Sequence, residues 1–166
     1  MIFVDHNNLF HNFQKINKKF DYLKLKNEIT QKRSLVQMIR YSGTEFTTDK
    51  KIIFKLKRFE MALNKAGIIT KTVFIKILSS GKRVEKEIDV KIATDMVAYG
   101  FKNCYDTAVL ISGDGDFKPA IEWLKQLNKK IEIWTFKKSL SRRLEAIVDK
   151  NNIFYIDDYL NEIERV

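Results

Sequence analysis

Short apolar runs alternate along this chain with stretches whose apolar residues recur every three or four positions, so strands and helices are expected to take turns. Ile2–Asp5 reads as a first strand, 8–18 as a helix, and 22–31 as a second, shorter helix. Residues 34–41 alternate well enough for a second strand. Thr47-Thr48-Asp49 predicts the cap of a long helix to Ala66, with Ile52, Ile53, Leu56, Phe59 and Leu63 on one face and Gly67 ending it. The β-branched run 68–78 predicts a third strand, followed by a turn or exposed loop at 79–83. A helix over 89–99 is expected to stop at Gly100, and Thr107–Ser112 reads as a buried strand. The next helix, 117–127, takes Asp116 as its expected N-cap and Pro119 in its first turn, where a missing N–H costs nothing. A fifth strand is expected over 131–136, a short helix capped by Ser139, a sixth strand over 153–156, and a final helix opened by Asp157.

This order predicts an α/β fold: right-handed crossovers, a mostly parallel sheet of five to six strands, and helices on both faces. No Pro/Gly/Ser-rich linker, repeat or low-complexity tract interrupts the chain, so residues 1–166 read as one domain, long enough to bury a core.

The strand ends hold the unusual chemistry. The run Ser112-Gly113-Asp114-Gly115-Asp116-Phe117 directly follows an apolar strand and places two carboxylates at its carboxyl end, where ligands bind in open α/β sheets. The first strand also ends in an acid, Asp5, with Asn8 three residues on. Asp89 opens a helix. Asp95, six residues later, is turned about 120° from it on the helical wheel, so the two cannot share a face. Each acid alone has a plain explanation: Asp116 and Asp89 as N-caps, Asp5 as a turn residue. Gathered at one sheet edge they would repel by about 4 kcal/mol per close pair at an effective dielectric of 20, and would need protons or a cation. Hard oxygen ligands select Mg²⁺ or Mn²⁺ over Zn²⁺.

The net charge of +10 and a sequence pI near 9.6 suit a polyanionic partner. Lysine and arginine cluster at Lys50-Lys51, Lys55-Lys57-Arg58, Lys82-Arg83-Lys86, Lys129-Lys130, Lys137-Lys138 and Arg142-Arg143, and these acids lie outside the clusters. A basic surface around an acidic centre fits nucleic acid cut with metal help. No stretch approaches eighteen consecutive apolar residues, the start lacks the pattern of a signal peptide, and the single cysteine, Cys104, cannot form an internal disulfide. A cytoplasmic protein without membrane contact is therefore expected.

Other chemistries fail on residue types. His6, His11 and Cys104 are too few for a zinc site. Leu110 and Asp114 occupy the glycine positions of a nucleophile elbow around Ser112. Lys76 stands where a P-loop ending at Gly81-Lys82 needs its first glycine. Position 7 is Asn7, where an aspartyl-phosphate mechanism at Asp5 would want a second Asp. Phe10, Phe13 and Phe20 suit either core packing or base stacking, with core the preferred reading.

Three segments together resemble the NYN domain, in the LabA/DUF88-like branch of the PIN-like nuclease superfamily. Val4-Asp5-His6-Asn7-Asn8-Leu9 is similar to that family's D-x-x-N-L. Lys86-Glu87-Ile88-Asp89-Val90, with Asp95 beyond it, is similar to K-G-V-D-V followed by D. Leu110-Ile111-Ser112-Gly113-Asp114-Gly115-Asp116-Phe117 is similar to L-x-S-G-D-S-D-F. The resemblance implies a PIN-like, Rossmann-like three-layer α/β/α sandwich. It also implies a metal-dependent ribonuclease centre of Asp5, Asp89, Asp114 and Asp116, with Asn8 as a further catalytic residue and Asp95 and Ser112 in support. His6 and Glu87 depart from glycines common in the family, and neither removes a ligand.

The expected function is Mg²⁺- or Mn²⁺-dependent hydrolysis of RNA, with Lys82, Arg83 and Lys86 among the residues binding flanking phosphates. Two other readings stay open: a non-catalytic RNA- or protein-binding module on the same fold, and a small-molecule phosphohydrolase. The sequence leaves the oligomeric state open.

Overall fold

Ile2–Asp5 forms β1, and its neighbours on either side are strands from distant parts of the chain. The computed structural model describes residues 1–31, 33–45, 47–77, 83–84 and 87–165, with the backbone alone at 45, 74–77 and 83–84. The remaining strands are β2 (Met38–Glu45), β3 (Ile68–Ile77), β4 (Arg83–Val84), β5 (Thr107–Ile111), β6 (Lys130–Thr135) and β7 (Ile153–Tyr155). They lie in the order β4-β3-β2-β1-β5-β6-β7. Among the described residues six strands are parallel, and only the two-residue β4 runs antiparallel, on the edge beside β3. The strand order reverses between β1 and β5, which is where a doubly wound sheet opens a crevice beyond its carboxyl ends.

The helices are α1 (His6–Lys15), α2 (Tyr22–Thr30), α3 (Lys50–Lys65), α4 (Glu87–Phe101), α5 (Lys118–Gln126), α6 (Arg142–Glu145) and α7 (Leu160–Ile163). Strand alternation divides them between two layers. Ile2, Val4, Met38, Ile68, Val109 and Ile111 face Leu9 and Phe13 of α1, Leu25 and Ile29 of α2, and Ile163 of α7. Phe3, Ile39, Tyr41, Ala108 and Leu110 face Ile88, Ile92 and Met96 of α4, with Ile121 and Leu124 of α5. Each large apolar side chain so buried contributes about 1.5–3 kcal/mol. Both cores pack against the same β1, so its carboxyl end is held from both sides of the sheet.

Four expectations are corrected. The second strand starts at Met38 rather than residue 34, because pairing of Ile2 with Met38 and of Met38 with Ile68 fixes its register. Arg40, Ser42 and Thr44 are polar, which hid its second half. Gly100 does not stop α4; it lies inside the helix, where a Cβ would stand 2.5 Å from Leu124 Cδ2 and 3.0 Å from the Tyr105 hydroxyl. Gly100 is therefore there for close packing. Asp116 is not an N-cap: Asp114 caps a 3-10 turn at Gly115–Phe117, and α5 begins after it with no side-chain cap. Ser141, not Ser139, caps the short helix α6. The periodic face of α3 is also only partly covered. Leu63 is buried, whereas Ile52, Leu56 and Phe59 are exposed.

Candidate active site

Asp5 ends β1 and caps α1 at once: its Oδ1 accepts the Asn8 backbone N–H at 3.0 Å. Its Oδ2 accepts the Ser112 hydroxyl at 3.0 Å across the crevice between β1 and β5. Ser112 Oγ in turn accepts the Asp114 N–H at 3.2 Å, and Asp114 Oδ1 accepts the Asp116 N–H at 2.9 Å. One hydrogen-bonded chain thus ties together the two strand ends at the topological switch point.

The glycines of this turn make room for the segment after β6. A Cβ on Gly113 would meet the Ser139 carbonyl oxygen at 2.1 Å, and one on Gly115 would meet Ser141 Oγ at 2.5 Å. The Gly113 carbonyl accepts the Ser141 N–H at 2.9 Å. Ser139 is thereby brought to α1, where Asn12 Nδ2 donates to Ser139 Oγ at 3.1 Å, to the Asn8 carbonyl at 2.8 Å and to Asn8 Oδ1 at 3.3 Å. Asn12 and Ser139 were missed in the sequence. The available signal was spacing: Asn12 is one turn beyond Asn8 on the buried face of α1.

Asp5 is 4% exposed, and burial is the main force raising its pKa above the carboxylate range. The Asp114 charge pushes the same way, while the Asn8 N–H, the Ser112 hydroxyl and the Asn7 N–H oppose it. Ser112 is itself buried, so Ser112→Ala should cost about 1–3 kcal/mol in chemical unfolding, the price of leaving buried partners unmatched. A loss near zero would show that the hydroxyl link carries no stability.

The other predicted residues are placed differently. Asp116 is exposed and its Oδ1 accepts from Arg143 Nη1 at 2.9 Å. Asp95 lies further along α4 and accepts from the Tyr41 hydroxyl at 2.8 Å and Lys71 Nζ at 2.6 Å, anchoring α4 to β2 and β3. Burial, reinforced by that Asp95 contact, drives the Tyr41 pKa far upward. Asp89 is half-buried in the first turn of α4. Arg83 lies in β4 opposite Ile77, while Lys82 and Lys86 lie outside the described residues.

Oxygen donors of this kind suit a hard divalent cation. Asp5 and Asp114 fit it best, since a cation there would offset the burial of the Asp5 carboxylate and the like charge of Asp114 that adds to it. Among the described residues, no three His, Cys, Asp or Glu side chains gather closely enough to hold a metal ion.

A family model described as the NYN domain matches residues 1–157. The chain belongs to the NYN domain family. A curated relative, the low amplitude and bright protein LabA of Synechococcus elongatus, is 31% identical over 169 residues, covering 98% of this chain and 83% of that protein. No solved structure matches the chain. The NYN domain is a branch of the PIN-like nuclease superfamily, and the six parallel strands with helices on both faces agree with that architecture. Among the described residues of this NYN domain, no helix is long and apolar enough to cross a membrane.

Proposed function

We propose that this NYN domain is a divalent-metal-dependent ribonuclease acting at the crevice between β1 and β5. The observation that carries the reading is the linked pair Asp5 and Asp114, one nearly buried and raised in pKa, the other on the adjoining strand end. Asp5 and Asp114 would hold Mg²⁺ or Mn²⁺, with Asp89 and Asp116 completing the ligand set. An ion held there would supply Lewis-acid polarisation of the scissile phosphate and would lower the pKa of an attacking water. Ser112 fixes the Asp5 carboxylate, and Asn8, held by Asn12, would orient a water beside it. Asp95 would steady Asp89 by locking α4 to the sheet. Lys82, Arg83 and Lys86 would bind flanking phosphates. RNA is the substrate in this reading, and a cytoplasmic location goes with it.

One observation favours the second reading, a non-catalytic RNA-binding module: Asp116 is paired with Arg143 rather than turned to the other acids. Purified protein incubated with mixed RNA in Mn²⁺, in Mg²⁺ and in EDTA separates the two. Metal-dependent cleavage is expected. Binding without cleavage in every arm would leave the module reading and remove the nuclease.

A further inference from the structure

Two cavities of about 430 and 460 Å³ lie on the α1–α3 side of the sheet, and both are bordered by His6 and Phe59. His6 directly follows Asp5, so this paired groove opens next to the acidic crevice.

The larger cavity has an arginine in its wall. Arg40 is 7% exposed. Its Nε donates to the Tyr22 hydroxyl at 3.0 Å and its Nη1 to Ser42 Oγ at 2.8 Å, while the guanidinium lies over the rings of Tyr22 and Phe59 at 5.9 and 5.4 Å. Guanidinium offers five N–H donors, so most remain free after these two bonds. Among the described residues no carboxylate forms an ion pair with it. A buried cation without a counter-charge is costly, which makes this position one that an anion would relieve. Its surroundings suit a phosphate: Ser42, Thr44 and Thr47 offer hydroxyls, and Lys57 a second charge. Glu60, the carboxylate in the lining, is occupied by the Thr72 hydroxyl at 2.8 Å.

The smaller cavity is aromatic. His6, Phe10, Phe20, Tyr22 and Phe59 line it, with Lys18 and Lys19 among its polar residues. The His6 and Phe10 rings stand 5.4 Å apart, Phe20 and Tyr22 4.9 Å, and Tyr22 and Phe59 6.2 Å. Phe10 and Phe59 are about 40% exposed (42% and 40%), leaving ring area for a partner. The Tyr22 hydroxyl accepts from Arg40 Nε and shares a hydrogen bond of 2.7 Å with His6 Nδ1. The His6 ring, within 5.4 to 6.4 Å of Phe10, Tyr22 and Phe20, adds to the same aromatic surface.

We infer that these joined cavities form a nucleotide subsite of the substrate strand, the phosphate on Arg40 and Lys57 and the base stacked among Phe59, Phe10 and His6. The inference rests on RNA being the substrate. It assigns the exposed aromatic face of α3 to stacking, which is worth enough per base to hold a strand without reading its sequence.

Adenosine 5′-monophosphate, adenosine and inorganic phosphate are titrated in EDTA and followed by NMR, so that no cleavage is involved. The monophosphate is expected to shift resonances of Phe59, Phe10 and Lys57, to bind more tightly than adenosine or phosphate alone, and to be displaced by a short oligoadenylate. Phe59→Ala should weaken it by roughly tenfold. Arg40→Met tests the buried charge directly; Lys57→Gln and Phe59→Ala, on the exposed side of α3, keep the test valid should that variant fail to fold. Equal binding by wild type, Phe59→Ala and Lys57→Gln would overturn the subsite. So would no response to nucleotide, and if the same resonances then moved with protein concentration the groove would belong to a second copy of the chain. Nucleotide binding in a protein that never cleaves RNA would leave the subsite standing and remove only the nuclease reading.

Discussion

Asp114→Asn should abolish RNA cleavage and leave the fold intact. Asp114 has two separable duties. Its Oδ1 caps the 3-10 turn by accepting the Asp116 N–H, and asparagine caps as well as aspartate does. Its charge raises the pKa of Asp5 and, in the proposed mechanism, draws the cation. The substitution keeps the first duty and removes the second. Residues that only support metal ligands cost about 10- to 100-fold when lost, so a direct ligand should cost at least that much activity. The unliganded variant should also be slightly more stable at neutral pH, because Asp5 would ionise beside one charge fewer. Thermal unfolding gives the clearest reading. At about 100 times its dissociation constant, Mn²⁺ binding only the folded state adds about 2.7 kcal/mol. Wild type should show such a gain and Asp114→Asn much less. Equal gains would show that Asp114 does not ligate the metal.

The legible part of this molecule was whatever depends on neighbours in sequence. Apolar runs located β1, β5 and β6, and the 3.6-residue period located α3 and α4, because burial on one face imposes that pattern directly. The acids at the ends of β1 and β5 could be placed at a sheet edge for the same reason. What could not be read was set by register and by non-local packing. Strand β2 runs four residues beyond its expected end, since Arg40 and Ser42 are polar residues buried by the tertiary fold, with Arg40 bonded to Tyr22 of another element. The direction of Asp116 follows from Arg143 on another helix, twenty-seven residues away. Asn12 and Ser139 meet only because the segment after β6 folds back onto α1. Periodicity also shows that a helix has an apolar face without showing what covers it. On α3 the cover is incomplete, and the uncovered part is the wall of the proposed nucleotide subsite.

Gly113→Ala should be the most damaging of the glycine substitutions, for a reason separate from the acids. A Cβ there would stand 2.1 Å from the Ser139 carbonyl oxygen, 2.6 Å from its carbonyl carbon and 2.6 Å from Thr135 Oγ1. Two of those atoms are backbone, so no rotamer change relieves the overlap. The segment after β6 must move away, breaking the bond from the Ser141 N–H to the Gly113 carbonyl and drawing Ser139 from Asn12. The expected cost is about 3 kcal/mol, the upper end of overpacking effects. Cleavage should fall too, since Ser112 and Asp114 flank the displaced residue. Gly115→Ala is the control for crowding that can relax. Its nearest atoms are Ser141 Oγ at 2.5 Å and Arg143 Cδ at 3.1 Å, both on side chains that can turn at the cost of the Ser141 cap on α6, so about 1 kcal/mol is expected. Gly67→Ala is the control for backbone strain: its φ is +74° with no atom near the added carbon, and it should cost about 1–2 kcal/mol with cleavage unchanged. Urea unfolding of the three variants ranks them. If Gly113→Ala proved no worse than Gly115→Ala, the close seat of the post-β6 segment on the acidic turn would be wrong, and Ser139 would lose its place beside Asn8.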